Sequence, residues 1–333
     1  MNNRSSTALG IGLVGVGRHG SRYLRHLLHD LPEAALAAIC RKSGGSCPGT
    51  NVPVYDDYRA MIADSQVEAV VIVTPPSLCH GICLDAVRAG KAVLVEKPLA
   101  LNGREARAMV DIAKQHHVPL MTAQTMRFDP TILLLRQELR TIGPLRGATL
   151  TSHIETKANT VAGAEGPQAL GALLEIGIHL LDLIRFLTRE EIREVECTMS
   201  PPPGAGPETR VQATLRTSTG IVCRLDVARV ETQRQGRAEW IGTTGRITAD
   251  WVTRKLTRTA TDGTTQSWTL EPHPTILSTL QAFTHAVRTN TQPPITGLDG
   301  CLAVEAADAC YRSAAGNGAV VQCEAGGETS SFP

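Results

Sequence analysis

The sequence predicts an α/β protein in two parts: a doubly wound parallel sheet, then a mostly antiparallel sheet with helices on one side. Three observations predict it. Up to about residue 125, short Val/Ile/Leu/Ala runs alternate with segments of helical length, the rhythm of parallel strands buried on both faces. The first of those runs ends in a glycine-rich turn that opens a helical segment. Beyond that point polar and apolar residues alternate in stretches rich in Thr and Val, the mark of strands buried on one face.

The elements follow in order. LGIGLVG (9–15) reads as a buried strand, and GSRYLRHLLHD (20–30) carries Tyr23, Leu24, Leu27 and Leu28 at helical spacing. ALAAIC (35–40) is a second strand, followed by a Gly/Ser/Pro-rich loop from Ser43 to Pro53 and a helix around 56–64. EAVVIVTPP (68–76) is a strand stopped by two prolines. A helix over 77–90 ends at Gly90 and precedes the strand AVLVE (92–96). NGREARAMVDIAKQH (102–116) opens with Asn at the cap and Glu three residues on, close to a capping box. VPLMTAQ (118–124) is one more strand.

After MRFDP (126–130) the character changes. GATLTSHIETK (147–157) is a strand, 208–232 holds two strands around Ser218-Thr219-Gly220, and 237–251 holds another pair around Thr243-Thr244-Gly245. GALLEIGIHLLDLIRFLT (171–188) is apolar and helical, PPPGAGPE (201–208) is a surface loop, and TILSTLQAFTHAVRT with DGCLAVEAADACYRSAAG are helices near the end. The domains expected are 1–127 and 128–333.

Composition narrows the function. The 333 residues suffice for two cores, and 33 basic against 32 acidic side chains give a net charge of +1. No basic face of the kind phosphate-backbone binding needs is present, so nucleic acid is not an expected partner. The longest apolar run, Ala8–Gly17, is too short to span a bilayer. The leader Met1–Ser6 runs straight into that strand without a signal-peptide pattern. Nine cysteines are scattered without a CxxC pair; Cys79 and Cys83 are at helix spacing, but no zinc set is completed. A reduced, cytoplasmic protein without a metal or a membrane partner is expected.

The turn after the first strand spells Gly15-Val16-Gly17-Arg18-His19-Gly20. Between a strand and a helix, such a turn lets the backbone approach a pyrophosphate and offers it free N–H groups at a helix N-terminus. From Ala34 to Tyr55 there is no Asp or Glu to bind a ribose 2′-hydroxyl. The second strand ends instead in Cys40-Arg41-Lys42-Ser43, where two cations and a hydroxyl suit a 2′-phosphate. NADP(H) is therefore preferred, with NAD(H) possible; a solvated basic loop is the bland alternative.

The strand AVLVE runs into Glu96-Lys97-Pro98. A lone E-K-P is a surface turn more often than a site, but a lysine at the carboxyl end of a parallel strand stands where ligands of such sheets bind. Glu175-Ile176-Gly177-Ile178-His179 places an acid and an imidazole one α-helical turn apart. The pair suits proton exchange, a structural ion pair or two metal ligands.

Five pieces in order, GVGRHG, TPPSLCHGICLDAVRAGKAVLVEKPLA, MRFDP, LLEIGIHLLDL and PPITGLDGCLAVEAADACYRSA, resemble the glucose–fructose oxidoreductase / inositol dehydrogenase / MocA family from about residue 9 to about 323. The resemblance implies an N-terminal Rossmann domain, a C-terminal α/β domain with a large open, mostly antiparallel sheet, and a substrate pocket between them. It implies that Lys97 lies beside the nicotinamide and hydrogen-bonds the reacting oxygen, and that His179 exchanges the proton. The family's residue at 175 is Asp; Glu is longer by a methylene, which puts the catalytic role of Glu175 in question. Thr74, Pro75 and Pro76 end the third strand beside the cofactor and His80 matches a family position near it, although each equally suits structural turn chemistry. Glu96 is read with them as cofactor-binding, as is Arg127, which matches a recurring family arginine although the residues before it depart from the family pattern. Asp182 is read as structural, and His153 as lining the pocket or exposed.

The activity expected is hydride transfer between nicotinamide and a secondary alcohol or carbonyl of a sugar, cyclitol or related polyol. The alternatives are a non-catalytic sugar or cofactor sensor and a redox-neutral, NAD-dependent glycosidase. The free sheet face of the second domain is expected to be covered by a partner subunit, as a homodimer or homotetramer.

Overall fold

A computed structural model describes residues 8–47, 49–155 and 170–323. The leader Met1–Ser6, Pro48 of the Gly/Ser/Pro-rich loop and positions 156–157 of the strand expected over 147–157 lie outside the described residues. The chain divides into two compact units, Met1–Thr125 with Pro274–Cys301, and Met126–His273 with Leu302–Pro333.

Among the described residues, the sheet of the first unit has six strands: β1 (Leu9–Val14), β2 (Ala34–Cys40), β3 (Val54–Tyr55), β4 (Ala69–Ile72), β5 (Ala92–Glu96) and β6 (Leu120–Ala123). They lie in the order β3-β2-β1-β4-β5-β6 with every pair parallel. β1, β4 and β5 are buried along their whole lengths, which is why they read as unbroken apolar runs. The helices α1 (Gly20–His29), α2 (Tyr58–Ala63), α3 (Pro76–Arg88) and α4 (Gly103–Gln115) connect them. The Asn102 cap on α4 is present: its side chain accepts from the Glu105 N–H at 2.9 Å. Strand order reverses between β1 and β4, the switch point where such sheets bind ligands beyond their carboxyl ends.

The second unit holds the helices α5 (Pro130–Glu138) and α6 (Ile178–Thr188) and the strands β7 (Leu145–Glu155), β8 (Ile192–Ser200), β9 (Arg210–Thr217), β10 (Val222–Val230), β11 (Gln235–Gly242), β12 (Gly245–Asp250), β13 (Lys255–Ala260), β14 (Thr265–Thr269) and β15 (Val321–Gln322). The strand order is β14-β13-β12-β11-β7-β10-β9-β8-β15. β7 and β10 pair in parallel and the other neighbours are antiparallel. β9 shows the cause of the sequence alternation: Val211, Ala213, Leu215 and Thr217 are buried, while Arg210, Gln212 and Arg216 face out. The predicted turn after it holds Gly220 at φ +92°, a conformation that favours glycine. α6 is buried almost all round and packs on β7, and α5 packs on β12 and β13.

The segment 274–301, expected in the second domain, is built into the first unit. The helix α7 (Thr275–Thr289) packs on α1 and β6, and Met121 bridges Thr296. At the start of α8 (Gly297–Ala315) a Cβ on Gly297 or Gly300 would run into the Leu120 or Thr122 side chain. Those glycines let the helix lie on β6.

Five strands and one helix went unanticipated. β14 is an exposed edge strand, β13 beside it is mostly half-buried without apolar alternation, β3 and β15 are two residues long, β8 is bounded by no glycine or proline at its start, and α5 is a short apolar run that periodicity does not separate from a strand. Among the described residues, no helix is long and apolar enough to cross a membrane, and no group of three His, Cys, Asp or Glu is placed to hold a metal. None of the nine cysteines forms a disulfide.

Candidate active site

The glycine turn is dictated by crowding behind it and space before it. Gly15 has φ +91°, and a Cβ there would meet the Val73 carbonyl; a Cβ on Gly20 would meet the Gly15 carbonyl. A Cβ on Gly17 would meet nothing within 4 Å, so open space lies before the loop. His19 occupies the N-cap of α1 without capping it through its side chain. Val16 is half-buried, and Arg18 and His19 are exposed. Uncapped N–H groups in front of a glycine cradle fit a dinucleotide pyrophosphate.

At the end of β2 the Arg41 Nε donates to Ser43 Oγ at 2.7 Å, and Lys42 is exposed. Two carboxylates missed in the sequence reading, Asp57 and Asp56, lie near this strand end; burial first, and then their charges, push the Cys40 thiol up to about 11. At the end of β4, Thr74 leads into Pro75 and Pro76, with Pro76 at the first position of α3, where a missing N–H costs nothing. The Cys79 sulfhydryl sits 3.5 Å from Thr74 Oγ1, and His80 follows on the same helix, half-buried.

Glu96, the last residue of β5, is 7% exposed. Its carboxylate gathers three donors: His19 Nε2 at 2.8 Å, the Tyr23 hydroxyl at 2.5 Å and the Lys97 backbone N–H at 3.0 Å. Burial raises the Glu96 carboxyl, but the hydrogen bonds and charge of His19, the Tyr23 hydroxyl and the Lys97 charge outweigh it and hold the group below its ordinary value. Burial and the neighbouring Glu96 push the Tyr23 phenol well up, so it stays a donor. Lys97 is half-buried and its peptide bond to Pro98 is cis. The structure thus joins three predicted site residues, His19, Glu96 and Lys97, through one carboxylate. Tyr23 was legible only as an apolar helix residue.

In the second unit, Glu175 lies in a π-helical turn, Leu173–Gly177, that runs into α6. The single α-helical turn expected between Glu175 and His179 is replaced by this wider one: the Ile178 N–H bonds to the Leu173 carbonyl, five residues back. The Glu175 carboxylate pairs with Arg229 of β10, a residue the sequence reading missed for want of any motif around it. His179 is half-buried in the first turn of α6. Arg127 is 5% exposed, with Nε and Nη2 on Asp182 at 2.8 and 2.6 Å, and its guanidinium stacks 5.0 Å from the Phe186 ring centre. His153 bonds Asp226 at 2.9 Å, and Arg210 bonds the same carboxylate at 3.0 Å.

A parallel sheet in this order, with an open glycine cradle at β1 and a buried acid before a lysine at β5, defines a dinucleotide-binding Rossmann protein. The chain matches the model of an oxidoreductase family with an NAD-binding Rossmann fold, GFO/IDH/MocA, over residues 9–124, and that of the GFO/IDH/MocA C-terminal domain over 140–248. The two together cover about two thirds of the chain, which belongs to the GFO/IDH/MocA oxidoreductase family.

The chain is 29% identical over 202 residues to the rhizopine catabolism protein MocA of Rhizobium meliloti, covering 60% of this chain and 63% of that protein. It is 30% identical over 207 residues to inositol 2-dehydrogenase 2 of Saccharopolyspora erythraea, covering 60% and 58%. The aligned part thus spans about three fifths of those curated relatives. The structure of scyllo-inositol dehydrogenase from Lactobacillus casei with bound NAD(H) and scyllo-inositol shares the fold, with TM-score 0.79, 24% identity and coverage of 95% of this chain and 99% of that one.

Proposed function

We propose that this protein is an NAD(P)-dependent dehydrogenase or reductase acting on a secondary alcohol or carbonyl of a sugar, cyclitol or related polyol. The observation that carries the reading is the Glu96 carboxylate, which ties His19 of the glycine turn to the backbone of Lys97. The family membership and the polyol names of the relatives support it.

When bound, the nicotinamide ring accepts or supplies the hydride. Gly15, Val16, Gly17, Arg18, His19 and Gly20 hold the pyrophosphate through backbone N–H groups. Thr74, Pro75, Pro76 and His80 flank the cofactor, and Glu96 steadies the turn. The Lys97 ammonium hydrogen-bonds the reacting oxygen, which lowers the cost of alkoxide character as the C–H bond breaks. His179 takes the hydroxyl proton, or returns it in the reverse direction. Glu175, paired with Arg229, acts on His179 through field and position. For Arg127 the reading narrows: with two nitrogens on Asp182, it holds the MRFDP segment against α6.

Arg41, steadied by Ser43 and flanked by Lys42, supports NADP(H) as the preferred cofactor; Asp56 and Asp57 nearby favour NAD(H) as a second. The face of the nine-stranded sheet carrying Arg210, Gln212 and Arg216 is proposed to seat a second copy of the chain. The cysteines, kept as thiols and mostly buried, are in keeping with a reduced, cytoplasmic setting.

The test is to titrate purified protein with NADP(H) and NAD(H), then screen inositols, aldoses and keto-sugars by nicotinamide absorbance. Net reduction or oxidation is expected with at least one polyol. Cofactor binding without turnover would replace the reading with a sensor, and product release without net absorbance change with a redox-neutral glycosidase.

A further inference from the structure

Glu208 closes the Pro/Gly-rich loop expected at the surface, yet it is 5% exposed. Its main-chain carbonyl accepts the Ala172 N–H at 2.8 Å, and its carboxylate accepts the Leu173 N–H and the Tyr311 hydroxyl, both at 2.9 Å. A carboxylate is stable inside a protein when donors surround it, and the positive end of a helix adds to them. Burial, and then Glu208, push the Tyr311 phenol up, which keeps it a donor. Gly171 completes the arrangement, because a Cβ there would overlap the Glu208 carboxylate.

Arg229 holds the same stretch through other groups. Its Nη2 donates to the Leu170 carbonyl at 2.8 Å and to the Glu175 carboxylate. Residues 170–175 are thus fastened at one peptide carbonyl, two N–H groups and one side chain, by groups from outside the turn. Downstream, Gly177 lets the turn settle on β10: a Cβ there would stand 2.8 Å from Leu173 Cδ1 and 3.3 Å from Val227 Cγ2. Because the Ile178 N–H bonds back to Leu173, the first turn of α6, and with it His179, inherits its register from this π turn.

We infer that Glu208 and Arg229, with Tyr311 behind Glu208, are positioning residues that hold the Leu173–Gly177 turn in its wide form and thereby aim the His179 imidazole. The inference rests on the proposed role of His179 as the proton-exchanging group. An imidazole displaced by about an ångström loses about a hundredfold in rate, while cofactor binding is untouched.

The experiment compares Glu208→Ala, Glu208→Gln, Tyr311→Phe and His179→Gln in the full chain, using the polyol turned over fastest in the panel. Glu208→Ala is expected to lower kcat about tenfold to a hundredfold with cofactor Kd unchanged, to shift the pH at which kcat is half-maximal, and to speed amide exchange over residues 172–178. Glu208→Gln keeps an acceptor for Leu173 and should restore most of kcat. A folded Glu208→Ala with wild-type kcat, pH profile and exchange overturns the inference. Should that variant fail to fold, Tyr311→Phe decides: unchanged exchange and an unchanged pH profile overturn it. His179→Gln separates the two readings, since turnover surviving in that variant removes the proposed role of His179, whereas its loss beside a wild-type Glu208→Ala removes this inference alone.

Discussion

Glu96 and His19 stand 77 residues apart in the chain and 2.8 Å apart in the fold. One is the last residue of β5, the other the N-cap of α1, so a single buried carboxylate joins the glycine turn and the backbone of Lys97. Charge-assisted bonds of this kind hold geometry better than neutral ones. Tyr23 is a third donor to the same carboxylate, at 2.5 Å.

Replacing Glu96 tests that junction through stability. Its folded pKa lies below the ordinary 4.5, so the folded state binds fewer protons than the unfolded chain. The contribution is therefore complete above 4.5 and disappears as pH falls through the folded pKa. Glu96→Gln should cost about 1–3 kcal/mol near neutrality, with the gap to wild type closing in acid. Melts of both proteins from about pH 7 to about pH 3 read this directly, and a gap that widened in acid would contradict it.

Lys97→Met should cut kcat by about a hundredfold or more while leaving cofactor Kd within about threefold, because the role proposed for the ammonium is to act on developing oxygen charge. Stopped-flow hydride transfer and cofactor titration measure the two separately. Equal losses in both would assign Lys97 to binding.

Arg41→Ala should weaken NADP(H) about tenfold or more and leave NAD(H) nearly unchanged, the loss of one bidentate phosphate contact. The ratio of the two Kd values is the readout. A parallel loss for both cofactors would mean that Arg41 recognises no 2′-phosphate.

Asp182→Asn removes the carboxylate charge that pairs with the buried Arg127 guanidinium. Destabilisation of about 3–5 kcal/mol is expected, larger than for the exposed pair Arg216–Glu194. Chemical denaturation of the two variants gives the comparison.

Much of this was legible in the chain. Strands buried on both faces must be apolar throughout, so β1, β4 and β5 announce themselves, and a turn that brings backbone within reach of phosphate needs glycine where Gly15 and Gly20 stand. Arg127 was visible from the family pattern, but its pairing with Asp182 across 55 positions was not. Glu175 and His179 were visible as a pair, but a four-residue spacing cannot announce a π turn, since that turn is imposed by Glu208 and Arg229 from other elements.

The residues alone determined the parallel nucleotide fold in five of its six strands, the glycine turn, the lysine after β5 and the alternating strands, because each rests on local periodicity or on one residue's own backbone freedom. Tertiary structure decided which polar groups meet: Glu96 with His19, Glu175 with Arg229, Glu208 with Tyr311. Those meetings depend on strand order and helix packing over long separations, and the energy of a buried charge is set by what surrounds it in space, not by its neighbours in the chain.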